Sequence, residues 1–308
     1  QIDFGFLNDS YQKFTGGHYY FNPGFNILLN VEEMDLFEDY RISGGFRFAG
    51  NFDSNEYLFS FENLKTRLNQ QYIFHRQTIS NYTGSDLYKS YLNEGMYLLR
   101  YPFSQVSAIQ STLSLRQDKL AYLTTDFQNL LKENEFEYWG GLKLEYIFDN
   151  SRNLMVNINE GFRFKIFGEY YKQIDKKKTD LYVVGWDFRY YQPIHRNLII
   201  ASRFAASSSF GNSKLIYYLG GIDNWINISP NTPMFDQSTR INPDEEYAYQ
   251  AVATNMRGFS QNVRNGNSFA LINTEIRWPI ISYFVNRPIN SDFLSSFQVV
   301  GFFDVGSA

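Results

Sequence analysis

Apolar and polar residues alternate along much of this chain with a period of two. Between Asp180 and Tyr190, Tyr182, Val184, Trp186, Phe188 and Tyr190 fall on one side, while Asp187 and Arg189 fall on the other. Residues 161–170 repeat the pattern, with Phe162, Phe164, Ile166 and Tyr170 opposite Arg163, Lys165 and Glu169. Leu142, Leu144, Tyr146 and Phe148 oppose Lys143 and Glu145, and Tyr40, Ile42, Phe46 and Phe48 oppose Arg41 and Arg47. A strand sends successive side chains to opposite faces, so these segments are predicted strands with one apolar and one charged face.

Read in this way, the chain predicts thirteen strands, at about 2–9, 18–32, 39–50, 55–62, 66–79, 89–101, 105–118, 138–149, 160–172, 180–191, 196–208, 267–278 and 294–305. Helix signals are nearly absent. Short turns are expected at Tyr101–Ser104 and Gln192–His195, and longer polar links at 119–137 and 209–266. No run approaches the ~20 apolar residues that a membrane helix needs.

Charges of both signs sit near mid-strand on the polar faces, where a dry sandwich core would leave them without water. Two arrangements accept such strands: an amphipathic sheet with one solvated face, or a barrel whose outer face meets a bilayer and whose lumen is polar. Composition and spacing bear on the choice. Aromatic residues make up 19% of the chain, with 30 Phe and 24 Tyr spread one residue apart among Arg, Asn, Ser and Glu. The predicted strand lengths suit tilted barrel strands, and alternation of short turns with long loops is the usual asymmetry of outer-membrane barrels. The fold class expected is therefore all-β, a transmembrane antiparallel β-barrel. Bacterial single-chain barrels normally have an even number of strands, so thirteen suggests a barrel without its last strands.

The last third carries a specific pattern. Asn255-Met256-Arg257-Gly258-Phe259 lies in the long loop, and Phe302-Phe303-Asp304-Val305-Gly306 ends the last predicted strand. Upstream stands Tyr218-Leu219-Gly220-Gly221, separated from Arg257 by a long insertion. Together with the segment Gly266–Pro279 and the hairpin around Asp149 and Gly161, these residues resemble the loop and strand motifs of the outer-membrane-protein-85 superfamily, the BamA-like or bacterial surface antigen β-barrels.

The resemblance implies that residues 1–308 are an outer-membrane barrel domain holding about 13 strands of a sixteen-stranded barrel, without POTRA domains. It implies insertion of barrel proteins into the outer membrane, or movement of polypeptide across it, by a non-catalytic barrel that templates strands at an openable seam. The implied partners are outer-membrane lipids, unfolded or translocating polypeptides, and periplasmic or lipoprotein accessory subunits. The implied location is the bacterial outer membrane. It further implies a long loop folded into the lumen, with Arg257 meeting Glu275 and Asp304, Gly258 permitting a bend, Phe259 wedging the tip against an apolar patch, and Gly306 close by. Independently, alternation puts Asn273, Glu275 and Arg277 opposite Ile272, Ile276 and Trp278, and Asp304 with Gln298 opposite Phe297, Val299 and Phe303.

Other chemistry finds little footing. With 28 basic and 32 acidic residues, the net charge of -4 does not suggest a nucleic-acid partner. The chain has no cysteine, and His18, His75 and His195 are too scattered to suggest a metal site. Glu245-Glu246 lies in a Pro/Asn/Asp-rich loop without a partnered base. No nucleotide loop or nucleophile elbow occurs, so neither catalytic residues nor a cofactor are expected. Two further readings stay open: a barrel that anchors or exports a fused periplasmic module, and a porin-like channel.

Overall fold

The computed structural model describes residues 2–3, 11–16, 20, 26–49, 54–83, 86–123, 133–175, 178–221, 235–253, 256–285, 287 and 289–308. Among the described residues, thirteen strands form one continuous antiparallel path. In order they are β1 (Ile2–Asp3), β3 (Asn26–Met34), β4 (Tyr40–Ala49), β5 (Asn55–Asn63), β6 (Asn69–Thr83), β7 (Asp86–Pro102), β8 (Ser107–Tyr122), β9 (Glu135–Asp149), β11 (Ile158–Gln173), β12 (Asp180–His195), β13 (Leu198–Gly211), β17 (Ser268–Trp278) and β18 (Val299–Ser307). A short strand, β10 (Arg152–Met155), pairs with β11 beside this path.

The alternation reads directly onto the two faces. Outward residues such as Phe59, Leu115, Ile166, Trp186, Phe204 and Phe303 are exposed, Leu115 to 69% and Phe303 to 66%. Inward residues include buried Arg47, Glu56, Glu94, Arg116, Asp118 and Glu169. This distribution is inverted relative to a protein dissolved in water, where so large a continuous apolar surface would be a liability. Several inward charges are held in pairs: Lys143 Nζ lies 3.2 Å from Glu169 and 3.4 Å from Glu145, and Arg203 Nη2 lies 2.9 Å from Asp187. Pairing matters because an unpartnered charge in such a space is strongly destabilising.

Inside, a second sheet of order β16-β14-β15-β2 occupies the lumen. It is made by β14 (Lys214–Leu219), β15 (Tyr247–Ala253), β16 (Arg264–Gly266) and β2 (Gln12–Lys13). The polar link expected over 209–266 is thus partly strand. Its apolar run Leu215–Leu219 is nearly fully buried, and β14 pairs parallel to β15, as suits a strand covered on both faces. One face packs against Trp139, Leu181, Val183, Ala205 and Leu271 of the wall. The other buries Ile216, Tyr218 and Phe235, with Phe14, Tyr20 and Tyr247 against them.

Several boundaries differ from the sequence expectation. Of the strand expected at 2–9, only Ile2–Asp3 is described; residues 4–9 lie outside the described residues, as do 18–19 and 21–25 of the strand expected at 18–32. The turn expected at Gln192–His195 falls instead at Arg196 and Asn197, because β12 continues through a bulge to His195 and Arg196 takes the left-handed conformation, with φ 51°. The last strand begins at Val299 rather than 294, since the β17–β18 connection holds two five-residue helices, α1 (Ile280–Phe284) and α2 (Asp292–Ser296). Ser291 caps α2 through its side chain. That connection lies at the end of the sheet where the turns are short, opposite the end that carries the 211–267 loop.

Candidate functional site

The expected contact between the long loop and the wall is built on two neighbouring strands. Alternation turns Asn273 and Glu275 of β17 inward, and the antiparallel register sets Asp304 beside Asn273, Phe302 beside Glu275, and Gly306 beside Leu271. The loop arrives on a bridge between Gly221 and Met256, closed by the Met256 N–H donating to the Gly221 carbonyl at 2.8 Å. A tight turn follows, in which the Phe259 N–H donates to the Met256 carbonyl at 3.3 Å and Gly258 has φ 87°. Only glycine adopts that conformation without strain.

Arg257 meets both acids. Its Nε and Nη2 each donate to Asp304 at 2.7 Å, its backbone N–H donates to the same carboxylate at 3.0 Å, and Nη1 donates to Glu275. Asn273 Nδ2 adds a bond to Asp304 at 2.8 Å, and Arg277 Nε bonds Glu275 at 2.7 Å. The fork-to-carboxylate geometry is the strongest kind of side-chain hydrogen bonding and is specific to arginine. The Asp304 side chain is only 2% exposed and that of Arg257 17%. Hydrogen bonding to Asp304, and then to Glu275, holds the Arg257 guanidinium even more firmly protonated than usual.

The remaining loop residues divide. Phe302 lies under the Arg257 guanidinium, 4.1 Å from carbon to ring centroid. Gly306 leaves the room in which Met256 sits; a Cβ there would lie 3.1 Å from the Met256 sulfur and 3.2 Å from the Ala270 carbonyl. Phe259 is half exposed rather than wedged, so the apolar contact at the clamp comes from Phe302 and Met256. Asn255 and His18 lie outside the described residues.

A second set of contacts escaped the sequence reading. Arg116 and Asp118, two apart on β8 and hence on one face, form a bidentate pair with both bonds at 2.8 Å. Arg116 also donates to the Tyr11 carbonyl at 2.8 Å and lies 4.3 Å from the Tyr249 ring, whose hydroxyl donates to Asp118 at 3.0 Å. Tyr11 in turn donates to Glu169 at 2.8 Å. His75, read as isolated, lies 2.6 Å from Glu56, which also pairs with Arg47. Among the described residues, no group of three or more His, Asp or Glu is arranged to hold a metal ion.

No family model and no curated protein matches the chain. Among solved structures, it is similar to BamA from Haemophilus ducreyi lacking POTRA domains 1–3, with TM-score 0.62 and 13% identity over 92% of this chain and 54% of that one. It is also similar to CdiB from Acinetobacter baumannii, with TM-score 0.51 and 12% identity over 93% of this chain and 47% of that one. Both are members of the outer-membrane-protein-85 superfamily. The chain shares the barrel fold of these two structures. At these identities the likeness is one of backbone architecture, and the chain spans about half the length of the two structures. Within that fold, the clamp joins the loop between β13 and β17 to the strand pair that follows it, so one arginine ties the loop tip to β17 and β18 at once.

Proposed function

We propose that this chain is the barrel of an outer-membrane factor for protein assembly or polypeptide translocation, working without catalytic residues or a cofactor. The observation that carries the reading is the lumenal sheet and its arginine clamp: a wall with an apolar exterior is filled by its own loop, which is tied down at Arg257, Glu275 and Asp304. A porin-like channel needs an open aqueous lumen. The buried contacts from Trp139, Leu181, Val183 and Leu271 to the inner sheet argue against one. The fold shared with BamA and CdiB supports the outer membrane as location and polypeptides as the general class of client.

In this reading the outer wall is solvated by outer-membrane lipid, and the client is an unfolded polypeptide, with periplasmic or lipoprotein subunits as accessory partners. Backbone N–H and C=O groups left unpaired in lipid are costly, so an incoming strand gains by pairing with an exposed sheet edge. No covalent step is required. The clamp would keep the loop seated while the wall flexes.

The test is reconstitution of the full-length protein into phospholipid vesicles with a denatured small outer-membrane barrel as client. Faster client folding than in empty vesicles supports assembly, and protease protection of a non-barrel client inside vesicles supports translocation. Neither activity with any client, together with steady ion conductance, would overturn the reading in favour of a channel.

A further inference from the structure

We infer that the outer wall between β5 and β9 carries a seat for an anionic phospholipid: an acyl chain in a glycine-floored groove, with a net-negative phosphate headgroup among cations just above it. The inference rests on the outward face being lipid-facing.

Two rows of outward neighbours cross these strands. One runs Phe59, Phe74, Gly95, Leu115, Gly140, and the next runs Phe61, Tyr72, Tyr97, Leu113, Leu142. In the first of these rows Phe59, Phe74 and Leu115 carry large side chains, whereas Gly95 and Gly140, on neighbouring sides of Leu115, carry none. A Cβ on Gly95 would meet nothing within 4 Å, and one on Gly140 only the Ile174 side chain. The result is an open apolar groove of about 870 Å³ on the outside of the wall, bordered by Phe74, Tyr97, Leu115 and Leu142. The backbone beneath is fully engaged, since the ladders from β6 to β9 run unbroken past it. A polypeptide strand lying there would find no partners for its own N–H and C=O groups. A hydrocarbon chain has none to satisfy.

One outward step further along β6, about 7 Å toward the long-loop end, the chemistry changes. The next row runs Tyr57, Arg76, Asn93, Gln117, Tyr138, and the row above it Asn55, Thr78, Tyr91, Lys119, Phe136. Lys89 stands one step beyond Tyr91. Arg76 and Lys89 border a shared hollow of about 430 Å³ that also touches Phe74, and the Lys119 ammonium lies 5.4 Å from the Tyr91 ring centroid. These two rows and Lys89 just beyond them hold three cations and no carboxylate among the described residues. Cations at the edge of an apolar groove fit a phosphate on the same molecule as the chain.

The experiment uses the full-length protein in phosphatidylcholine vesicles doped with phosphatidic acid carrying an acyl-chain diazirine. Labelling is mapped by mass spectrometry on β6–β8 and, as controls on the opposite wall, at Trp186 and Phe204. The inference expects preferential labelling near Gly95 and Leu115, lost in Gly95→Leu. In Arg76→Gln/Lys89→Gln, which alters only outward side chains, labelling by phosphatidic acid should fall about five-fold per cation removed, while labelling by a phosphatidylcholine diazirine stays unchanged. Uniform labelling of both walls would overturn the seat while leaving the bilayer reading intact. Absence of labelling at Trp186 and Phe204 as well would overturn the bilayer reading itself. Full competition by inorganic phosphate would reduce the site to an anion contact and overturn the lipid seat. Should Gly95→Leu fail the folding check by heat-modifiable migration, Leu115→Ala, which deepens the groove, should raise labelling; an unchanged value would count against the inference.

Discussion

Gly306 and Met256 lie against each other because the strand residue lacks a side chain: a Cβ at 306 would come within 3.1 Å of the Met256 sulfur. Met256 is buried and immediately precedes Arg257, so space at 306 governs how closely the loop tip approaches the wall. Gly306→Ala should be the milder change, taken up by small shifts of the flexible thioether and of the Ala270 carbonyl. Gly306→Leu should overpack the site at a cost of about 1–3 kcal/mol. Limited trypsin digestion checks this, because lifting the tip exposes the bond after Arg257: cleavage should accelerate in Gly306→Leu and stay near wild type in Gly306→Ala. Equal rates in all three proteins would refute the contact.

The clamp makes a sharper prediction through charge. Asp304→Arg sets a second cation against Arg257 and removes the acceptor of four hydrogen bonds. Breaking so enclosed a pair should cost about 3–5 kcal/mol. Arg257→Asp combined with Asp304→Arg restores opposite charges and should recover part of that loss. The fraction that stays compact on unheated gels, followed against urea, gives the coupling in a double-mutant cycle. Strictly additive effects would exclude direct interaction.

How much of this was legible in the sequence depends on local pattern length. Tyr182 to Tyr190 alternates over a full strand, which makes the wall and its lumenal charges legible in the sequence. The inner sheet was less legible, although two signals exist. Leu181 and Val183 are apolar on the face that should be polar, opposite Tyr182 and Val184, which marks a wall region covered on both sides. Leu215–Leu219 is a continuous apolar run, the mark of a buried strand rather than a loop. Gln12–Lys13 is too short to show any period, and its partner in β15 lies more than two hundred residues away. Five-residue helices complete barely more than one turn, so α1 and α2 leave no helical periodicity. At the candidate site, Arg257, Glu275 and Asp304 were reached through motif and alternation. Asn273 was given its face but no partner, and Phe302 no role at all. The Arg116/Asp118 pair could have been noticed as opposite charges at i and i+2. Its links to Tyr11 and Tyr249 depend on tertiary folding alone.

Arginine chemistry also sets a pH dependence. Hydrogen bonding to Asp304 raises the Arg257 pKa above its ordinary value. A group whose folded pKa is raised stabilises the fold below its unfolded pKa, and that contribution disappears as pH rises through the folded value. For Arg257 this window lies beyond ordinary measurement, so the clamp should be insensitive between about pH 7 and 11. Arg257→Lys replaces the rigid fork with a point charge whose unperturbed pKa is about 10.4. Its stability deficit relative to wild type should be constant near neutrality and grow above about pH 10. Urea midpoints of the two proteins across this range test the idea. A deficit that stays flat to pH 11 would mean that residue 257 contributes no charge to stability.

The lumenal sheet predicts that the resting protein conducts poorly and that one aromatic ring is central to the block. Tyr249 lies 5.3 Å from the Trp139 ring centroid and 6.5 Å from that of Tyr171, with the Arg116 guanidinium 4.3 Å away on β8. It therefore joins the walls at β8, β9 and β11 to the inner strand β15. It also borders a lumenal cavity of about 260 Å³ shared with Tyr11, His75, Glu94 and Arg116. Tyr249→Ala removes the ring, costs about 3–5 kcal/mol of local packing, and deprives Asp118 of a donor. Water should then link the cavity to the space around the loop. In planar bilayers, Tyr249→Ala should raise single-channel conductance several-fold, whereas Phe188→Ala on the outward face should leave it unchanged. Tyr249→Phe isolates the hydroxyl: it keeps the ring in place while removing the bond to Asp118, and should conduct nearly as little as wild type. Similar conductance for wild type and Tyr249→Ala would mean that the seal lies elsewhere in the lumen.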